Sequence, residues 1–84
     1  MTGWSHLTLR ADRRNLGEVF GFLRQVLGEA GIRERLLLDL ELAIEEAVVN
    51  VMTHAYPGGE GDLVLGVMPG PDHVTIELRD RGVP

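Results

Sequence analysis

Residues 36–56, LLLDLELAIEEAVVNVMTHAY, decide the fold of this 84-residue chain. The stretch is apolar around nearly its whole circumference, which is typical of a helix buried in a core. At about 100° per residue, Asp39, Glu46, Asn50 and His54 fall in one narrow stripe. Glu46 and Asn50 are four residues apart and are therefore neighbours on one helix face. An acid and an amide on a buried helix need partners, so the pair is a candidate site.

Length, charge and cysteine content limit the class of protein. Eighty-four residues with 44% hydrophobic content predict one small globular domain. No apolar run is long enough to span a membrane, and no basic-then-apolar leader precedes the first polar segment. A net charge of −5 argues against binding nucleic acid through general electrostatics. The absence of cysteine excludes disulfides and thiolate metal sites, and it is compatible with the cytoplasmic location that we expect.

Apolar periodicity divides the chain into five elements. The predicted elements are a strand, two helices and two strands, over residues 6–11, 13–30, 33–56, 63–68 and 73–79. Asp12 can cap the first helix, and Gly31 suits a left-handed residue at its end. The turn signal at residues 69–72 predicts a β-hairpin between the last two strands. This order predicts an α+β, two-layer sandwich with both helices on one face of the sheet.

Three features outside the long helix have a plain structural explanation beside a functional one. The charged residues on the exposed face of the first helix are Arg13, Arg14, Glu18 and Arg24. We interpret them as a solvated face, with partner docking as the alternative. Trp4 is interpreted as packing, with ligand stacking as the alternative. The glycine-rich loop over residues 56–62 resembles a phosphate cradle, but a strand follows it and no Lys-Ser/Thr pair does, so it does not fit a P-loop.

The candidate residues have definite chemistry. Glu46 could act as a general base, and the amide oxygen of Asn50 could ligate Mg²⁺. Equally, Glu46 could be solvated and Asn50 bonded within the fold. Asp80 directly follows a strand and could accept a hydrogen bond from the amino group of a base, while Gly82 would let a ring approach the backbone. Taken alone, this D-x-G is explained by a plain turn.

The motifs are more specific in combination. Together they resemble the histidine-kinase-like ATPase superfamily, which has the Bergerat nucleotide-binding fold. The combination consists of a helix with E-x-x-x-N, a glycine-rich loop, a hairpin and D-x-G after the hairpin's second strand. Within this superfamily, EEAVVNVMTHAY at 45–56 and TIELRDRGVP at 75–84 look like the anti-sigma factor serine kinases of bacterial stress and sporulation regulation. The resemblance extends from the first strand to Pro84.

This resemblance implies a role for each motif residue. Glu46 would be the general base for phosphoryl transfer, and Asn50 would hold the Mg²⁺ that bridges the phosphates of ATP. Asp80 would accept a hydrogen bond from the adenine amino group, with Gly82 beside the base. His54, one turn beyond Asn50, would line the pocket or cap the helix end. The implied partners are an anti-anti-sigma protein phosphorylated on serine and a sigma factor, with no direct contact to nucleic acid or membrane.

Residues 1–84 are expected to form the N-terminal part of such a domain. The family's second glycine box and ATP lid do not follow D-x-G here, so we expect weak or no ATP binding and no kinase activity from the chain by itself. An exposed sheet edge and apolar helix surface predict a homodimer or swapped oligomer. Two alternatives stay open: a binding-only regulatory switch of the same fold, and the nucleotide domain of a sensor histidine kinase. No upstream helix with a phospho-accepting histidine supports the latter.

Overall fold

A computed structural model describes residues 3–54 and 61–80 of the chain. Its elements β1, α1, α2, β2 and β3 span Ser5–Arg10, Leu16–Glu29, Glu34–His54, Asp62–Pro69 and Val74–Asp80. The predicted order of strand, helix, helix, strand and strand is confirmed, and so is the α+β class. Within the described ranges, no helix is long and apolar enough to cross a membrane. The predicted end of the second helix at Tyr56, most of the glycine-rich loop and Gly82 lie outside the described residues.

Residues close in sequence determine where α1 begins and where it ends. The Asp12 carboxylate accepts a hydrogen bond from the backbone N–H of Arg14 and caps a 3-10 turn, Arg13–Asn15, which leads into α1. The helix therefore starts as a tighter turn than predicted. At the other end Gly31 has φ +79°, the left-handed conformation predicted for it. Its N–H donates to the carbonyl of Gly28, and the next N–H, from Ile32, donates to that of Leu27, which satisfies carbonyl groups that the helix leaves unpaired.

The sheet is antiparallel with the order β1-β2-β3. Leu7 of β1 lies opposite Leu65 of β2, which in turn lies opposite Leu78 of β3. The predicted hairpin is confirmed: the N–H of Gly70 donates to the carbonyl of His73 at 2.7 Å and closes its turn. Because side chains alternate along a strand, this register puts one row of apolar residues on the face that the helices cover.

A single apolar cluster joins the helices to this inner face. α1 packs against β1 and β2, and α2 packs beside α1. The buried members of the cluster are Leu9, Ala11, Val19, Leu23, Leu27, Leu37, Ile44, Val48, Met52, Leu63, Leu65 and Val67. Every one of the five elements contributes to it or packs against it, so the position of α2 relative to the sheet depends on a shared core.

The outer face of the sheet carries an aromatic pair. Trp4 and His6 stack with ring centroids 5.9 Å apart and an interplanar angle of 18°. They lie over Gly66, where a Cβ atom would be 3.1 Å from His6 Cδ2 and 3.3 Å from Trp4 Cε3. Gly66 is buried beneath them. The structure therefore gives Trp4 the packing role that was preferred over ligand stacking.

The helix α2 is amphipathic rather than buried all round. Its buried residues are Leu37, Ile44, Val48 and Met52. Three leucines remain substantially exposed: Leu36 at 46%, Leu38 at 52% and Leu42 at 60%. The prediction of a helix buried on all sides was wrong, because in the described residues α1 and the sheet cover only part of its circumference.

Candidate functional site

The predicted stripe on α2 faces solvent. Glu46, Asn50 and His54 lie on successive turns of the helix and are all exposed, as is Asp39 two turns earlier. No polar or charged side chain is buried among the described residues. The acid and the amide therefore do not lie on a buried surface, which was the reason given for their needing partners. Their side chains are instead accessible to a ligand from outside.

Contacts between the helices show which way the stripe points. The guanidinium of Arg24 on α1 bonds to Glu34 and Glu41 on α2, so these two acids mark the side of α2 that faces α1. Asn50 follows Glu41 by nine residues, which is about two and a half turns of helix. Asn50 therefore points away from α1. The buried residues of α2 include Val48, two residues before Asn50, so Asn50 points away from the core as well and faces solvent.

Two alanines widen the open surface beside Asn50. Ala43 and Ala47 are exposed and precede Asn50 by seven and three residues, so all three lie on one side of the helix. Small side chains here leave space for a ligand to approach the helix closely. Sequence reasoning missed these residues, although their helical spacing to Asn50 was a readable signal.

Asp80 lies at the end of β3 and is exposed. It pairs with Leu63 and, by alternation, shares the helix-bearing face of the sheet with Leu78. At the strand end it also borders a groove of about 300 Å³ on the outer face, lined by Thr8, Asp62, Val64, Arg79 and Asp80. Asp80 is thus reachable from the helix side and from the outer side of the sheet edge.

The two halves of the predicted site lie toward the same end of the molecule. Seven residues between 31 and 40, around the start of α2, and residues 71–74, where β3 begins, line one common groove of about 830 Å³. Since α2 and β3 begin together, the later part of α2, with Asn50, lies toward the end of β3, with Asp80. The chain connection agrees, because α2 leads through residues 55–61 into the start of β2, where Leu63 pairs with Asp80.

The larger groove lies at the opposite end and was not predicted. It includes Arg33, Arg35 and His73 together with Asp39, the member of the stripe to which no role was assigned. Its position separates Asp39 from Asn50 and His54. The four-residue stripe therefore has two parts: Asp39, which lines this groove near the start of α2, and three exposed residues nearer its end.

Any divalent cation at this site must take most of its ligands from elsewhere. Among residues 3–54 and 61–80, no group of three His, Cys, Asp or Glu side chains is placed to hold a metal ion. Mg²⁺ commonly keeps several waters and binds phosphate oxygens together with one or two protein oxygens. The exposed amide of Asn50 fits that requirement as a single neutral ligand.

Comparisons with known proteins identify the class to which this fold and helix belong. A family model of the histidine kinase-like ATPase domain matches residues 9–84, and the chain belongs to that family. The chain is also similar to Serine-protein kinase RsbW of Oceanobacillus iheyensis, with 34% identity over 61 residues. That match covers 71% of this chain and 39% of the relative, so the chain spans well under half of the relative's length. Both findings confirm the resemblance inferred from the motifs.

Proposed function

We propose that the chain is the nucleotide-binding core of a bacterial anti-sigma regulatory factor of the serine kinase type. The parent protein binds Mg·ATP, phosphorylates a serine of an anti-anti-sigma partner and sequesters a sigma factor in the cytoplasm. Membership of the histidine kinase-like ATPase family and the similarity to a serine-protein kinase support this proposal. The observation that carries it is the exposed Glu46–Asn50 pair in the later part of α2, which lies toward the same end of the molecule as Asp80.

In this proposal each exposed group has a distinct task. Asn50 contributes its amide oxygen to the Mg²⁺ that bridges the phosphates, and that cation neutralises charge on them. Glu46, one turn earlier, accepts the proton of the attacking serine hydroxyl. Asp80 accepts a hydrogen bond from the adenine amino group. Gly82 beside the base and His54 lining the pocket complete the proposed site.

The chain by itself is proposed to bind nucleotide weakly and to transfer no phosphate. Phosphoryl transfer depends on holding the phosphates in position and stabilising their charge. The surface around Asn50 is open, and the described residues provide no lysine or arginine in the stripe with it. Positioning is the function we assign to this chain, and the rest of the kinase activity belongs to the parent protein.

Mapping the nucleotide by NMR tests the proposed site on this chain. With a large excess of a non-hydrolysable Mg·ATP analogue, we expect amide shifts concentrated at Glu46, Asn50 and Asp80. The groove at the start of α2, reported by Arg33 and His73, should not respond. Shifts confined to that groove, or no shifts at any concentration, would remove the support for nucleotide binding by this chain.

A further inference from the structure

Arg24 joins the two helices at one point. Its Nη2 and Nε atoms lie 2.8 and 3.3 Å from the two carboxylate oxygens of Glu41, and its Nη1 atom lies 3.1 Å from Glu34. The hydrogen bonds to Glu34 and Glu41 raise the pKa of Arg24, which favours the charged guanidinium. Arg24 is exposed on α1, as predicted, and the structure adds its ion pairs with two acids of α2, which the sequence did not predict.

The two acidic partners of Arg24 are not equivalent. Glu41 receives two hydrogen bonds from the fork of the guanidinium, and its side chain is only 12% exposed. Glu34 receives one, and its side chain is 66% exposed. Paired hydrogen bonds to a carboxylate fix geometry more strictly than one bond to a solvated group. Glu41 is thus the partner that fixes orientation.

The contact of Arg24 extends over two turns of α2. Glu34 and Glu41 are seven residues apart, about two turns, and lie on one line along the helix. One rigid guanidinium bonded to both resists rotation of α2 as well as sliding along α1. The apolar contacts of Leu37 and Ile44 hold α2 in place, but apolar burial is non-directional and specifies rotation less strictly.

We infer that Arg24 is a positioning residue: through Glu41 it sets the rotation of α2 that presents Asn50 on the side facing away from α1. Asn50 lies half a turn around the helix from Glu41, so a rotation of α2 turns both residues through the same angle and moves them in opposite directions. The importance of this contact for ligand binding rests on the proposed function. The orientation itself can be measured without any ligand.

Spin labels can measure this orientation, because the chain contains no cysteine and two introduced cysteines will be labelled selectively. We would label Asn50→Cys and Arg79→Cys and compare the distance distribution between the labels after Glu41→Gln and after Glu34→Gln. Both changes remove one charge from a partner of the same arginine. We expect Glu41→Gln to shift and broaden the distribution, and Glu34→Gln to leave it unchanged.

A control variant separates orientation from general stability. Val67→Ala removes buried volume from β2 without touching Arg24 or its partners, and should lower the melting temperature but leave the label distance unchanged. If Glu41→Gln only lowers the melting temperature, or if Val67→Ala broadens the distribution equally, Arg24 has only a stabilising role and the inference is overturned.

Nucleotide titration of the unlabelled variants gives the functional result. If the wild-type chain binds Mg·ATP, Glu41→Gln should weaken the affinity about tenfold, since small misplacements of a binding group have large effects, while Glu34→Gln should not. Unchanged affinity in Glu41→Gln would contradict the inference. If the wild-type chain binds no nucleotide, the proposed function of this chain fails, while the label distances still decide whether Arg24 sets the orientation.

Discussion

At the residue scale, two glycines differ in the backbone conformation that they adopt. Gly31 has φ +79°, which L-residues with a Cβ atom adopt only at a cost, whereas Gly21 lies inside α1 with ordinary helical geometry. Apart from its chain neighbours and the nearby backbone of its own helix, a Cβ atom at either position would meet no heavy atom within 4 Å. Any effect of an alanine there therefore reports backbone conformation rather than a clash.

Substitution of these two glycines by alanine should change stability in opposite directions. Gly31→Ala should lower the free energy of unfolding by about 1 kcal/mol, because the left-handed conformation becomes strained. Gly21→Ala should raise it by about 1 kcal/mol, because alanine favours the helix interior. Urea denaturation of the two variants provides the measurement. A change of the same sign in both would contradict the assigned conformations.

Asp12 makes the fold sensitive to acid. Side-chain and backbone hydrogen bonds from Arg14 lower the pKa of Asp12 from 3.8 to about 2. A carboxyl whose pKa is lower in the folded state adds stability above its unfolded pKa and loses that contribution as the pH falls through the folded value. The stabilising contribution should therefore be complete above about pH 4 and disappear toward pH 2.

The expected acid response can be checked with one variant. Between pH 4 and pH 2 the melting temperature of the wild type should fall more steeply than that of Asp12→Asn. The difference should be modest, since Arg14 is 89% exposed and water screens the pair. An NMR titration that gives Asp12 an ordinary carboxyl pKa, with parallel melting curves for both proteins, would show that the cap is not formed in solution.

At the element scale, the sequence predicted which residues of a helix share one face. It did not predict which helix face is covered by other elements. The spacing of Glu46 and Asn50 correctly put them together on α2, because helical geometry fixes their angle. Their exposure could not be predicted, because Leu38 and Leu42 make the surrounding sequence look like a core helix although both are exposed. Periodicity identifies neighbours along a helix, but the elements that pack against it come from the tertiary fold.

The contact of Arg24 with α2 also could not be predicted from the sequence. Its partners lie 10 and 17 residues further along the chain, on a different helix. From sequence alone such an arginine is indistinguishable from a solvated one, because no local spacing connects it to Glu34 or Glu41. Asp12 and Gly31 could be predicted because their partners lie within a few residues.

At the scale of the whole molecule, exposed apolar surface predicts self-association. Leu38 and Leu42 lie four residues apart, so they form a continuous apolar strip on α2. In the described residues β1 and β3 also have only β2 as a neighbour in the sheet. Burying these leucines against a second copy would remove apolar area from water.

We therefore expect a homodimer or swapped oligomer at micromolar concentration, measured by sedimentation. The double variant Leu38→Gln and Leu42→Gln should shift the protein to monomer while circular dichroism shows an unchanged fold, because both side chains are already solvent-exposed. Glu18→Gln, an exposed change on α1, serves as the control and should remain associated. A wild-type protein that is monomeric over the whole concentration range would contradict this prediction.

In the proposed function, Asn50 binds Mg²⁺, and through it the nucleotide, on the exposed side of α2. Calorimetric titration of ATP, with and without Mg²⁺, into the wild type, Asn50→Ala and Gln25→Ala tests it most directly. Gln25 is an exposed amide on α1, so its variant controls for loss of an amide from a helix surface. We predict that Mg²⁺ strengthens ATP binding in the wild type and in Gln25→Ala but not in Asn50→Ala. An Asn50→Ala protein that keeps the full effect of Mg²⁺ would contradict the assignment of Asn50 and of the site built around it.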